Sequence, residues 1–295
     1  VDNFIMAPNL SQTNPASTRS ALDLFSLSGR AAIVTGGAGL LGAQFCRTLA
    51  QAGAKVAVAD IDGPAGDALA QDLMNQGHQA IAVRADVTDP ASVRQMVAAT
   101  VNAFGRLDIL VNSAALDPKF DPKQVANEFT YSESGAFEDF PLAAWEQALA
   151  VNLTGAFLCC QAGVEPMLRQ GGGVIINLSS IYGLAGPDQR IYQRAGQPPR
   201  YKPVYYSVTK AGILGLTRYL ATYYAGRNIR VNTLTPGGVF NGHEDTFVQA
   251  YSARAVLGRM ADRNELNGAL LFLASDASAY MTGANLVVDG GWTAW

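Results

Sequence analysis

The stretch Arg30-Ala31-Ala32-Ile33-Val34-Thr35-Gly36-Gly37-Ala38-Gly39-Leu40-Leu41-Gly42 decides the fold. Its first half is a short apolar run of the kind that forms a buried strand, and residues 40–52 continue as an amphipathic helix. Glycines 36, 39 and 42 stand where strand becomes helix. At such a turn the backbone can approach a pyrophosphate closely, and the helix N-terminus stabilises its charge. A glycine-rich turn can also serve only to pack helix on strand. Its place between one expected strand and one expected helix favours a bound dinucleotide.

The same alternation runs along the chain. Short β-branched runs at residues 30–35, 55–60, 79–83, 109–111, 174–178, 229–234 and 285–288 read as strands. Helical patterns lie between them at 40–52, 64–76, 90–104, 141–170, 203–226 and 263–275. The expected fold class is therefore α/β: a doubly wound seven-stranded parallel sheet with helices on both faces and its ligand crevice at the carboxyl ends of the strands. Residues 27–295 read as one dinucleotide-binding catalytic domain, preceded by a polar arm at 1–26. Two stretches, 116–140 and 183–203, exceed ordinary connections and are expected to flank the crevice.

Composition narrows the class. With 49% hydrophobic and 15% charged residues and a net charge of −3, the chain offers no electrostatic case for nucleic acid. No continuous uncharged stretch reads as a membrane span, and residues 1–26 lack the pattern of a secretory signal. Cys46, Cys159 and Cys160 form no Cys-x-x-Cys, so neither a disulfide framework nor a zinc site is indicated, and a cytoplasmic setting fits. His78 and His243 are the only histidines, both in polar loop-like contexts, which argues against a histidine triad or a metal site.

Proton chemistry is suggested by Tyr206-Ser207-Val208-Thr209-Lys210. Residues four apart share a helix face, so the Lys210 ammonium can favour ionisation of the Tyr206 phenol. Tyr206 would then donate a proton to a carbonyl oxygen, or take one from a hydroxyl. Tyr205 has Thr209 at the corresponding place and reads as packing. Ser180, at the end of the fifth strand, can hydrogen-bond the reacting oxygen, with Ser179 as the alternative. Asp60 ends the second strand, where a carboxylate accepts hydrogen bonds from ribose hydroxyls and repels a 2′-phosphate. No Lys or Arg follows between Ile61 and Leu73, so NAD is expected rather than NADP.

Taken in order, Thr35–Gly42, Asn112-Ser113-Ala114, Asn152, Ser179-Ser180, Tyr206 with Lys210, and Pro236-Gly237 resemble the compact short-chain dehydrogenase/reductase family. The resemblance covers roughly residues 28–295 and implies a Rossmann-type fold, an alcohol–carbonyl oxidoreductase and a homodimer or homotetramer. It implies catalytic roles for Ser180, Tyr206, Lys210 and Asn152, the last holding a relay water, with Lys210 also binding the nicotinamide ribose. It further implies cofactor contacts from Gly36, Gly39, Leu41 and Gly42, from Asp60 and Ile61, from Asp86 and Val87 at the adenine, and from Asn112 and Ala114 at the adenosine ribose. Pro236, Gly237 and Val239 would border the nicotinamide, with residues 241–260 as a lid.

Three departures from the family pattern matter. The Gly-x-x-Gly-x-x-Gly spacing is that of extended members acting on nucleotide sugars. Asn112-Ser113-Ala114-Ala115 replaces Asn-Asn-Ala-Gly. The 26 positions from Ser180 to Tyr206 imply an inserted loop. The strings Ser180–Gly183, Pro187–Tyr192 and Val288–Trp295 resemble a subgroup associated with bacterial surface-sugar and flagellin-glycan biosynthesis. The substrate is therefore expected to be sugar-like and possibly anionic, bound by Ser180, Tyr206, Arg190 and Arg194. Two other readings stay open: a nucleotide-sugar epimerase or dehydratase that retains NAD, and a dinucleotide-binding regulatory protein without turnover.

Overall fold

The computed structural model describes residues 20–117 and 135–295. Residues 1–19 of the polar arm and 118–134 of the long 116–140 stretch lie outside the described residues. Strands β1 (Ala31–Thr35), β2 (Lys55–Asp60), β3 (Ala80–Arg84), β4 (Ile109–Asn112), β5 (Gly173–Leu178), β6 (Ile229–Pro236) and β7 (Asn285–Val288) form one sheet. Every pairing is parallel, in the order β3-β2-β1-β4-β5-β6-β7. The order reverses between β1 and β4, where Thr35 lies beside Asn112. That switch point opens the crevice at the carboxyl ends of both strands.

Strand alternation explains the two layers of core. In β1, Ala32 and Val34 face α1 (Leu40–Gln51), α2 (Gly63–Asn75) and α8 (Asn267–Ala274), packing with Phe45, Leu49, Leu69, Leu73 and Leu270. Ile33 between them faces the other way, toward α3 (Pro90–Phe104), α5 (Gly155–Gln170) and α6 (Val204–Tyr223), with Met96, Val164 and Met167. Each such aliphatic side chain contributes about 1.5–3 kcal/mol on full burial, so both faces of the sheet demand a helical cover.

Boundaries follow local chemistry. The start of α3 agrees with expectation because the Asp89 side chain accepts from Ala91 and Ser92 N–H, with Pro90 at the first helical position. The expected helix at 263–275 begins only at Asn267. Glu265 is held in the preceding turn by Arg259 at 2.6 Å and by Asp262 N–H at 2.8 Å. The expected helix at 141–170 consists of α4 (Leu142–Leu149), a π turn (Ala150–Thr154) and α5. This span is long and apolar enough to cross a membrane, yet its Cys159, Cys160, Val164 and Met167 are core residues against the sheet. The lid assigned to 241–260 contains a helix not anticipated from the sequence, α7 (Asp245–Ser252).

Candidate active site

The glycine turn is built as a backbone cradle. Gly36 adopts φ 63°, and a Cβ there would lie 2.8 Å from Ala114 Cα, so the turn presses against the loop after β4. A Cβ on Gly42 would stand 2.0 Å from the Gly36 carbonyl oxygen, which fixes α1 against the turn. Thr35 Oγ1 accepts from Ser113 and Ala114 N–H at 3.1 and 3.3 Å, locking the two sides of the switch point together. No side-chain hydrogen bond caps α1 at Gly39, so its first-turn amides point into the crevice without a side-chain anion of their own. Leu41 packs its side chain on the core, leaving its backbone as the part that can serve a ligand. The cradle fits a dinucleotide pyrophosphate.

Asp60 sits at the neighbouring strand end, where its carboxylate accepts from Ala38 N–H at 2.9 Å and Asp62 N–H at 3.0 Å. The helix cap that follows is Asp62, accepting from Ala65 N–H, so Asp60 retains acceptor capacity toward the crevice. Ile61 beside it is exposed. One cation escaped the sequence reading: Arg84 lies opposite Asp60 in the β2–β3 register and donates to the Ile61 carbonyl at 3.4 Å. It is distant in sequence and adjacent only through strand pairing.

At the far side of the crevice, Ser180 follows β5 and stands beside Tyr206 of α6, near enough for its hydroxyl to act on the phenol. Ser180 also accepts from Tyr182 N–H at 3.2 Å, while Ser179 donates to the Lys210 carbonyl at 2.7 Å and so belongs to the scaffold. This separates the two serines as strand alternation suggested. Tyr205, by contrast, is fully buried against Phe140, with ring centroids 5.8 Å apart. Lys210 Nζ donates to the Leu178 carbonyl at 3.0 Å and lies 5.7 Å from the Tyr206 ring centroid.

Burial dominates the electrostatics of Tyr206 and Lys210. Burial pushes the Tyr206 phenol well above its ordinary pKa, and Asp117 adds to the rise; the nearby Ser180 hydroxyl opposes them. Burial also pushes Lys210 down, to about 8, with Asp117 raising it and Lys202 lowering it. A positive charge bound beside the phenol would favour its ionised form.

The lowered lysine has a consequence for stability. Below pH 8 folded and unfolded chains both carry the Lys210 proton; between about 8 and 10.5 mainly the unfolded chain does. Stability should therefore gain with rising pH across that window. Buried cysteines and tyrosines act in the opposite sense at higher pH, so the measurement is a difference. Urea unfolding of wild type minus Lys210→Met at pH 7.5 and 10 should move by about 2 kcal/mol in favour of wild type at the alkaline pH. A pH-independent difference would refute the lowered pKa.

Other expected site residues are placed less simply. Asn152 lies in the π turn, where one extra residue breaks the regular ladder. Its Oδ1 accepts from Leu116 N–H at 2.6 Å, and its Nδ2 donates to the Leu116 carbonyl at 3.1 Å and Thr209 Oγ1 at 3.3 Å. It joins the loop after β4 to the tyrosine helix rather than presenting a free amide. The Asn112 side chain is buried and donates to Asn177 Oδ1 at 2.8 Å, so only backbone at this position and at Ala114 borders the crevice. Asp86 accepts from Thr88 N–H and Oγ1 at 2.8 and 2.7 Å, closing its own turn, and Val87 is buried against Gly155. Pro236 ends β6, Gly237 N–H donates to the Val288 carbonyl, and Val239 packs on the core.

The insert forms an aromatic wall beside Tyr206. Tyr192 donates to Tyr182 Oη at 2.9 Å, Tyr182 stands edge-on to Tyr206 and Trp292, and Tyr251 of α7 stacks on Trp292. Arg190 and Arg194 are committed elsewhere, contrary to expectation. Arg190 is 82% exposed and grips Asp188 through Nε and Nη2; Asp188 also pairs with Arg254. Arg194 binds Glu244 at 2.8 Å and the carbonyls of Ile191 and Gln193. Both tie the insert to itself and to the α7 region. The insert cation at the tyrosine is Lys202, whose Nζ lies 4.1 Å from the Tyr206 ring centroid. Nothing in sequence spacing distinguished it from the three arginines.

Known proteins resemble this chain in sequence and fold. A family model described as enoyl-(acyl carrier protein) reductase matches residues 37–293. D-threitol dehydrogenase of Mycolicibacterium smegmatis is 35% identical over 274 residues, covering 91% of this chain and 95% of that protein. A short-chain type dehydrogenase/reductase from Mycobacterium marinum superposes with a TM-score of 0.79 at 34% identity, over 93% of this chain and 99% of that one. A gluconate 5-dehydrogenase from Burkholderia cenocepacia, solved with NADP and tartrate, gives a TM-score of 0.79 at 30% identity, over 94% and 100%. With the switch-point cradle and the Ser180, Tyr206 and Lys210 cluster on one sheet, this chain belongs to the short-chain dehydrogenase/reductase family and is an enzyme of it.

Proposed function

We propose that the protein is an NAD-dependent dehydrogenase interconverting a secondary alcohol and a ketone, or a lactol and a lactone, on a small polyhydroxylated substrate. The observation that carries the reading is the cluster of Tyr206, Lys210 at 5.7 Å from its ring centroid and Ser180 beside it, built on the same sheet as the glycine cradle. When bound, the nicotinamide supplies the hydride acceptor or donor. Ser180 orients the reacting oxygen, and Tyr206 moves the proton at that oxygen. Lys210 holds the ribose side of the site, and Asn152 keeps the Leu116 loop against the tyrosine helix. The relatives named for a polyol and for an aldonic acid support a hydroxylated ligand. A cytoplasmic homo-oligomer is part of the same proposal. A place in surface-sugar or flagellin-glycan synthesis is a narrower version and rests on the sequence strings alone.

NAD is favoured by Asp60, whose carboxylate would stand against a 2′-phosphate. Arg84 is the opposing charge. Steady-state kinetics should give a higher kcat/KM with NAD, and Asp60→Ala should narrow the preference by ~10-fold or more. A higher value with NADP in the wild type would overturn the choice and point to Arg84. Absorbance at 340 nm over a panel of polyols, sugars and aldonic acids tests the reaction itself. Bound NAD with no net reduction would instead support the epimerase reading that the glycine spacing suggests.

A further inference from the structure

Lys202 is the least expected charge in the site. Its side chain is 9% exposed, and its ammonium sits over the face of the tyrosine assigned to proton transfer, 4.1 Å from the ring centroid. That distance is within the range of cation–π attraction, which a nearly dry setting strengthens. The lysine is also held in place from behind. Gln189 accepts from Lys202 N–H at 2.8 Å and donates to the Lys202 carbonyl at 3.2 Å, so one amide side chain grips the backbone on both sides. Pro203 then starts α6, fixing the distance from Lys202 to Tyr206.

A nearly buried ammonium needs an anion. In the free protein that anion is Asp117, at 2.5 Å, on the loop following β4. The two partners differ in their freedom. Asp117 is 56% exposed and can turn to water at little cost, whereas the Lys202 side chain is 9% exposed and its backbone is held by Gln189. The pair therefore has one nearly buried member and one exchangeable member. Arg190 and Arg194, the two insert residues expected from the sequence to bind an anion, are already engaged by Asp188 and Glu244.

We propose that Lys202 is the specificity-determining residue for a carboxylate on the substrate, and that Asp117 occupies its ammonium until that carboxylate arrives. This rests on the dehydrogenase reading for the identity of the site and names its substrate class, a hydroxy acid. The exchange preserves charge balance around Tyr206: one carboxylate replaces another on Lys202, while the reacting hydroxyl meets Ser180 and Tyr206.

The test uses a matched pair on one four-carbon skeleton, D-threonate and the neutral D-threitol, binding to the enzyme–NADH complex by calorimetry. It needs no turnover, so a failure of the dehydrogenase reading in the 340 nm panel is a separate result. Wild type should bind threonate at least ~10-fold more tightly than threitol. Lys202→Met should bring the ratio close to one, and Lys202→Arg should keep most of it. Asp117→Asn should tighten threonate by removing its competitor. Equal or tighter binding of threitol by wild type, or Lys202→Met weakening both ligands by the same factor, would overturn the proposal. Weaker threonate binding in Asp117→Asn would overturn the exchange of partners.

Discussion

Tyr206→Phe should lower kcat by at least ~100-fold while NADH still binds, because the substitution keeps the ring and removes the proton. The ring's packing against Tyr182 and the Lys202 ammonium does not require the hydroxyl, so the fold should survive. Tyr205→Phe is the control one residue away. Tyr205 is fully buried against Phe140 on another face of α6, and its loss of a hydroxyl should cost on the order of 1 kcal/mol in stability with kcat nearly unchanged. The measurement is steady-state turnover with the best substrate alongside cofactor affinity by NADH fluorescence. If Tyr205→Phe proves the more damaging to turnover, the proton donor has been assigned to the wrong tyrosine.

Gly42→Ala should weaken NADH binding by ~30-fold or more and lower the unfolding free energy by ~2 kcal/mol. The added methyl would meet the Gly36 carbonyl oxygen at 2.0 Å, its carbon at 2.8 Å and Gly37 Cα at 2.9 Å. All three are backbone atoms of the cradle itself, so relief requires moving α1 away from the turn. A useful contrast is Gly215→Ala on the exposed face of α6, where a Cβ meets nothing within 4 Å. Helix propensity predicts a gain of up to ~1 kcal/mol there. Wild-type affinity for NADH in Gly42→Ala would show that the turn is looser than its packing implies.

Much of this protein is decided by local pattern. Strands β2 and β7 and helix α3 have the bounds the sequence indicates, because two buried sheet faces impose apolar runs and Asp89-Pro90 starts a helix by its own chemistry. The glycine turn and the spacing of Tyr206 and Lys210 are legible for the same reason: each acts over one turn of chain. Helix α7 and the π turn at Asn152 were not legible. The first is stabilised by an aromatic wall contributed from the insert and the C-terminal segment, and the second is an irregularity within a continuous helical pattern.

Charges were the least legible of all, because a side chain's partner is chosen by space rather than by sequence distance. Arg84 reaches the Asp60 strand end through the pairing of β2 with β3, although no cation follows Asp60 in the next dozen residues. Arg190 and Arg194 are claimed by Asp188 and Glu244, while Lys202, the plainest of the insert's cations, meets both Asp117 and the tyrosine ring. Sequence alone determined the sheet and marked the glycine turn and the Tyr206–Lys210 pair, since hydrophobic period and backbone turn chemistry are local. Only the tertiary structure decided which charges pair and in which direction burial moves the phenol, since desolvation and long-range contacts exist only once distant segments have packed together.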